Sequence, residues 1–144
     1  MSMVLANVSC VAVDGRALLI EGPPGAGKSS LALALIEEGA RLIGDDGVTL
    51  AAEGNQLIAS PPPHIAGLIE VRGVGLVSLP TTSAPVALAI ALDEAAPRLP
   101  DEPHTARWCG IAVPRLSLYP DTATVPLRAR WALRHHGTTT PSCA

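Results

Sequence analysis

GPPGAGKSS, Gly22 to Ser30, follows the apolar run Ala17 to Ile20 and leads into LALALIEE, Leu31 to Glu38. Its residues Gly22, Pro23, Pro24, Gly25, Ala26, Gly27, Lys28 and Ser29 satisfy G-x-x-x-x-G-K-[ST] at every position. Each residue type has a physical role in such a loop. Glycines let the backbone wrap closely enough for its N–H groups to point inward, and the helix that begins here presents its positive end. A lysine at Lys28 reaches the β and γ phosphates of a nucleotide, and a hydroxyl at Ser29 completes a Mg²⁺ shell. The bland alternative is a glycine turn capped by serine. The full match and its strand-to-helix setting favour a nucleotide-binding loop, with ATP and Mg²⁺ as the expected ligands. Nine of the ten basic residues are arginine, so Lys28 is the sole lysine of the chain and falls inside this loop.

The rest of the composition narrows the possibilities. At 144 residues the chain fits one domain with a core of its own. With 48 % apolar residues and only three aromatics, Trp108, Tyr119 and Trp131, that core must be built from Val, Leu, Ile and Ala. No aromatic platform is available for stacking single-stranded nucleic acid. A formal charge of −3 leaves no basic footprint for an extended polyanion. No uninterrupted apolar stretch approaches the roughly twenty residues of a membrane helix, and the opening MSMVLANVSC lacks the charged start of a secretory signal. The expected location is the cytoplasm, with no membrane and no nucleic acid as partner. Cys10, Cys109 and Cys143 have no paired spacing and are expected as reduced thiols.

Along the chain, Val8 to Val13 and Ala17 to Ile20 flank Asp14-Gly15 and predict a β-hairpin. The leucine and isoleucine spacing predicts a helix over 29–38, stopped by Gly39. A short return strand follows at Arg41 to Ile43, then a hairpin of Val48 to Leu50 and Gln56 to Ala59. Pro61, Pro62 and Pro63 mark a loop. Val86 to Leu92 reads as a buried strand, and the stretch from there to Pro103, with three prolines, four acids and one arginine, as an exposed connection. Leu116 to Leu118 is a further strand candidate. VPLRARWALR, Val125 to Arg134, predicts a closing helix with Pro126 in its first turn. The expected organisation is one domain over 1–134 and a disordered tail over 135–144.

Two further stretches carry chemistry. Asp45-Asp46 ends the return strand, and a crossover from the loop would bring it toward the phosphates. Carboxylates there could hold Mg²⁺ or accept a proton from an attacking hydroxyl, or simply form an Asp-Asp-Gly turn. In HIAGLIEVRGVGL, Glu70 and Arg72 fall on one side of an extended chain beside Gly73 and Gly75. They suit either metal and phosphate or a salt-bridged strand end.

Taken together, GPPGAGKS, LALALIEEGARLIGDD and IAGLIEVRGVGL resemble the kinase domain of HPr kinase/phosphorylase, in the short alphaproteobacterial form without an N-terminal domain. The resemblance runs from about Asn7 to Arg98 and more weakly to Arg134. It implies an α/β P-loop kinase domain related to phosphoenolpyruvate carboxykinase, strands with few flanking helices, that transfers the γ-phosphate of ATP to a serine of the phosphocarrier protein HPr. Carried over by position, Lys28 binds phosphate, Asp46 accepts the serine proton, and Ser29 and Glu70 ligate Mg²⁺. Arg72 and Arg98 match catalytic arginines, and the resemblance further implies a hexamer. Two departures stand out. Asn7 replaces a histidine that assists the catalytic aspartate, and asparagine can hydrogen-bond a carboxylate but carries no proton charge. Nothing resembles the Pro-Val-Arg-Pro-Gly-Arg element tied to dephosphorylation, so phosphorylase activity is expected to be weak or absent. Two other readings remain: an ATP-binding regulator of the same fold with little transfer, favoured by Asn7, and a small-molecule kinase, which leaves Glu70 and Arg72 unexplained.

Overall fold

The computed structural model describes residues 1–64, 66–100 and 102–139. In chain order its elements are β1 (Ser2–Ala6), β2 (Ser9–Val13), β3 (Arg16–Glu21), α1 (Lys28–Glu37), β4 (Arg41–Gly44), β5 (Gly47–Glu53) and β6 (Gln56–Ser60). They continue with β7 (Leu68–Val71), β8 (Gly75–Ser78), β9 (Ala84–Leu92), β10 (His104–Trp108), β11 (Ile111–Leu118) and α2 (Val125–His136). Among the described residues, nine strands form one mixed sheet in the order β1-β5-β6-β9-β3-β2-β4. β11 lies against β9, and β10 against β11. β7 and β8 form a separate hairpin. The result is an α/β fold dominated by a curled mixed sheet; among the described residues there are two helices, neither long and apolar enough to cross a membrane.

The sheet is organised around β9, whose sequence APVALAIAL explains why. Leucine and isoleucine alternate with alanine, so Leu88, Ile90 and Leu92 stand on one face and Ala89 on the other. The bulky face packs with Leu18 and Ile20 of β3 against Leu31 and Leu35 of α1 and Ala129 and Leu133 of α2. The alanine face joins a second core inside the curl, with Leu19, Ile43, Leu50 and Leu57. A strand buried on both faces needs partners along both edges, and β9 has them. β3 runs parallel on one side. On the other side, β6 pairs with its first residues antiparallel and β11 with its last residues parallel.

Because β3, β9 and β11 run in the same direction, Glu21, Leu92 and Leu118 end at one edge of the sheet. Ligands in open α/β sheets settle at such carboxyl ends. Here the chain leaves β3 through Gly22–Gly27 and starts α1, then returns as β4. β4 pairs antiparallel with β2 rather than with β3. Both strands of the β3–α1–β4 unit thus run the same way, with β2 between them.

Several elements differ from the sequence expectation for definite reasons. β1 carries exposed Met3 and Val4 and pairs with β5 by main-chain contact at a sheet edge, so it has no apolar alternation to betray it. β11 starts at Ile111, well before Leu116, although Pro114 interrupts it. Pro114 precedes the Arg115–Leu118 segment that pairs with β9, so that ladder needs no N–H from it. β10 exists as the antiparallel partner of β11. α2 continues through His136, and the Thr138 N–H then donates to the Ala87 carbonyl at 3.0 Å. The expected tail boundary at 135 therefore falls inside a helix, while the remaining tail from 140 lies outside the described residues.

Leu88, fully buried where β9 meets both helices, tests this account of the core. Leu88→Ala is expected to lower unfolding free energy in a denaturant titration by about 2–5 kcal/mol. Val74→Ala, at a position 76 % exposed, should change it by less than about 0.5 kcal/mol.

Candidate active site

The loop between β3 and α1 is shaped by its glycines. Gly25 and Gly27 sit at φ 81° and 98°, where a side chain is strained, and Gly27 is the residue from which α1 starts. Gly22 packs so closely on the end of β9 that a Cβ would lie 3.3 Å from the Leu92 carbonyl oxygen. Lys28 folds back over the loop: its ammonium donates to the carbonyls of Gly22 at 2.6 Å and Pro23 at 3.1 Å. A phosphate oxygen entering the loop competes with these two neutral acceptors for the same charge, and an anion is the stronger acceptor.

Ser29, one residue into α1, donates its hydroxyl to Asp45 Oδ1 at 2.8 Å. Ser9 of β2 donates to the same oxygen, also at 2.8 Å. Ser9 and Asp45 are the buried polar side chains among the described residues, and each satisfies the other. The register makes this possible, because Cys10 pairs with Gly44 and so sets Ser9 beside the end of β4. The turn that carries Asp45 and Asp46 is tight. A Cβ on Gly44 would collide with the carbonyl oxygen of Gly47, and Asp46 occupies the left-handed region at φ 62°. Asn7, also left-handed at φ 63°, donates its backbone N–H to the Asp46 carbonyl at 3.0 Å. Its side chain makes no hydrogen bond to Asp46 among the described residues.

Ser29, Asp45, Asp46 and Glu70 line one cleft of about 340 Å³, bordered by Leu68 and Leu76 of the β7–β8 hairpin. Four oxygen-bearing side chains from α1, the β4–β5 turn and β7 thus share a space beside the phosphate loop. Ser29 and Asp45 fit a hard cation, since their oxygens are already in mutual contact. Among the described residues no three His, Cys, Asp or Glu side chains cluster as a complete metal cage. A cation here would take one or two carboxylates and fill its shell from phosphate and water, which is the habit of Mg²⁺.

Asp45 was absent from the metal ligands implied by resemblance, and Ser9 gave no signal at all. A serine inside VSCVAV reads as a filler in an apolar strand until the register sets it opposite a carboxylate. Two of the arginines do not join the cleft. Arg72 sits exposed in the turn between β7 and β8, closed by the Val74 N–H donating to the Val71 carbonyl at 2.9 Å. Arg98 lies in the connection after β9 and lines a different cleft with Tyr119 and Arg128. Cys10 and Cys109 are free thiols. Burial pushes the Cys10 thiol far above its ordinary pKa, so it stays protonated and unreactive.

Comparison with known proteins bears on this geometry. The family model described as HPr Serine kinase C-terminal domain matches residues 4–119. HPr kinase/phosphorylase of Clostridium tetani is 44 % identical over 71 residues, covering 49 % of this chain and 23 % of the relative. The protein of the same name from Limosilactobacillus reuteri is 34 % identical over 122 residues, covering 75 % of this chain and 38 % of the relative. The chain thus spans less than two fifths of the length of these curated relatives. The solved Hpr(Ser) kinase/phosphatase from Coxiella burnetii superposes with a TM-score of 0.80 at 32 % identity, over 93 % of this chain and 90 % of that one. With the phosphate loop, the acid-lined cleft and the curled sheet all in place, the chain belongs to the HPr kinase/phosphorylase family, whose C-terminal domain it matches.

Proposed function

We propose that this chain is a serine kinase that moves the γ-phosphate of ATP onto HPr, using the cleft beside the loop. The observation that carries this reading is the convergence of Ser29, Asp45, Asp46 and Glu70 on one space next to Gly22–Gly27. The loop amides and Lys28 hold the phosphates. Ser29 and Asp45 hold Mg²⁺, with Glu70 on the facing wall. Bound there, the cation neutralises charge on the phosphate oxygens. Asp46, exposed at the cleft and fixed through its backbone by Asn7, accepts the proton as the serine oxygen of HPr bonds to phosphorus and the bond to ADP breaks. Arg72, at the tip of the hairpin that carries Glu70, is proposed to approach the transferring phosphate when HPr docks. Arg98, which lines a different cleft with Tyr119 and Arg128, is proposed for the same role.

The wider proposal follows the family. The fold is related to that of phosphoenolpyruvate carboxykinase, the protein works in the cytoplasm, and the domain assembles as a hexamer. Dephosphorylation is weak, because no stretch of the sequence resembles the Pro-Val-Arg-Pro-Gly-Arg element. A second reading has its own support. Asn7 holds Asp46 by main chain alone, and among the described residues no side chain hydrogen-bonds that carboxylate, so the chain would bind ATP and signal without efficient transfer.

Incubation with Mg²⁺, radiolabelled ATP and HPr decides between them. The kinase reading predicts labelled phosphoserine, a fall of about 10²–10⁴-fold in rate for Asp46→Asn, and unchanged nucleotide affinity in that variant. Nucleotide binding without labelled HPr would favour the regulator. Asn7→His is expected to raise turnover; no effect would mean that the position does not act on Asp46. Lys28→Ala should remove the rise in melting temperature that Mg²⁺ and ATP produce in the wild type.

A further inference from the structure

The loop borders a second, larger cleft of about 500 Å³ that shares no lining residue with the acid cleft. Pro23 and Pro24 of the loop, Leu92 and Glu94 at the end of β9, and Arg115 and Pro120 of the β11 segment form its walls. Alternation along the strands sets the face. Ile20 and Leu116 belong to the core under the helices, so their neighbours Glu21 and Arg115 stand on the opposite side of the sheet.

Arg115 is held there by a specific contact. Its Nε lies 2.9 Å from Glu21 Oε2 in an ion pair, and Glu21 is the last residue before Gly22. The pair anchors a guanidinium at the root of the phosphate loop and leaves its two terminal amines without a hydrogen bond among the described residues. With its side chain 45 % exposed, Arg115 presents a fixed planar cation to the cleft.

The chemistry of the walls selects the occupant. Asp93 is already engaged, accepting from the Ala95 N–H at 2.9 Å, while Glu94 is exposed. Two carboxylates beside three prolines make a poor seat for a phosphate chain. They suit a neutral group with an aromatic face and hydroxyl donors, and the volume lies within the range of small-ligand sites. The geometry points to this cleft as the seat of the nucleoside of ATP, with the Arg115 guanidinium stacked on the base and Glu94 accepting from the ribose hydroxyls. This inference rests on the loop holding the phosphates, as proposed above.

Calorimetric titration with Mg²⁺-ATP and with Mg²⁺-triphosphate, which lacks the nucleoside, tests it. The wild type is expected to bind ATP about tenfold more tightly than triphosphate, as one stacked cationic contact would provide. Arg115→Ala should bring that ratio close to one and leave triphosphate affinity within about twofold. Arg115→Lys keeps a charge for Glu21 while removing the planar fork, and should lose most of the same preference. Equal weakening of both ligands would overturn the proposal, because Arg115 would then act on the loop itself. An unchanged ratio in both variants, or equal affinities in the wild type, would overturn it while the phosphate loop stands. Failure of the wild type to bind either compound would overturn the phosphate-loop reading and this one with it.

Discussion

One carboxylate oxygen ties the site together. Asp45 Oδ1 accepts from Ser9 of β2 and from Ser29 of α1, each at 2.8 Å, and so joins the middle strand, the return strand and the loop helix at a single atom. A buried carboxylate is costly unless hydrogen-bonded, and bonds to a charged group are each worth about 1.5–3 kcal/mol. The two serines therefore offset the cost of burying Asp45 and fix its aim. Everything around it follows from that aim. Gly44 has no side chain because the turn closes on the Gly47 carbonyl, and Asp46 is forced outward into the left-handed region. Two adjacent acids thereby receive different environments: one buried and doubly hydrogen-bonded, the other exposed at the cleft.

The sheet supplies the second constraint. Parallel β3, β9 and β11 bring their carboxyl ends to one edge, and the glycine loop crosses that edge between two clefts. The clefts differ in chemistry as the ends of a nucleotide differ. One is lined by hydroxyl and carboxylate groups suited to metal and transferring phosphate. The other offers prolines, a tethered guanidinium and a carboxylate, suited to a base and sugar. The loop in the middle, with α1 starting at Gly27, offers the amides and the positive helix end that the phosphate chain requires.

How much of this was legible in the sequence depended on whether the signal was local. The loop, β3, α1 and β9 were readable because their residues declare themselves: glycines and one lysine in fixed order, leucines at helical spacing, and a long aliphatic run. Asp46 and Glu70 were expected in the site and do share a cleft with Ser29. What depends on register was not readable. Ser9 looks inert until Cys10 pairs with Gly44, and Arg115 looks like an exposed strand residue until β9 sets it two register positions from Glu21. β1 escaped because an edge strand held by main-chain bonds needs no pattern, and the first half of β11 because Pro114 argues against a strand. Arg98 matched by sequence position, yet position alone does not say which cleft a long connection folds over.

Ser29 and Asp45 are proposed to hold the metal that accompanies the phosphates. Crystals grown with Mn²⁺ in place of Mg²⁺ and a non-hydrolysable ATP analogue would locate that ion by its anomalous signal. A single peak is expected between Ser29 Oγ and the Asp45 carboxylate, their direct hydrogen bond opened, with the phosphates along Gly22–Gly27. A peak elsewhere with the Ser29–Asp45 bond still closed, or nucleotide bound away from the loop, would contradict it.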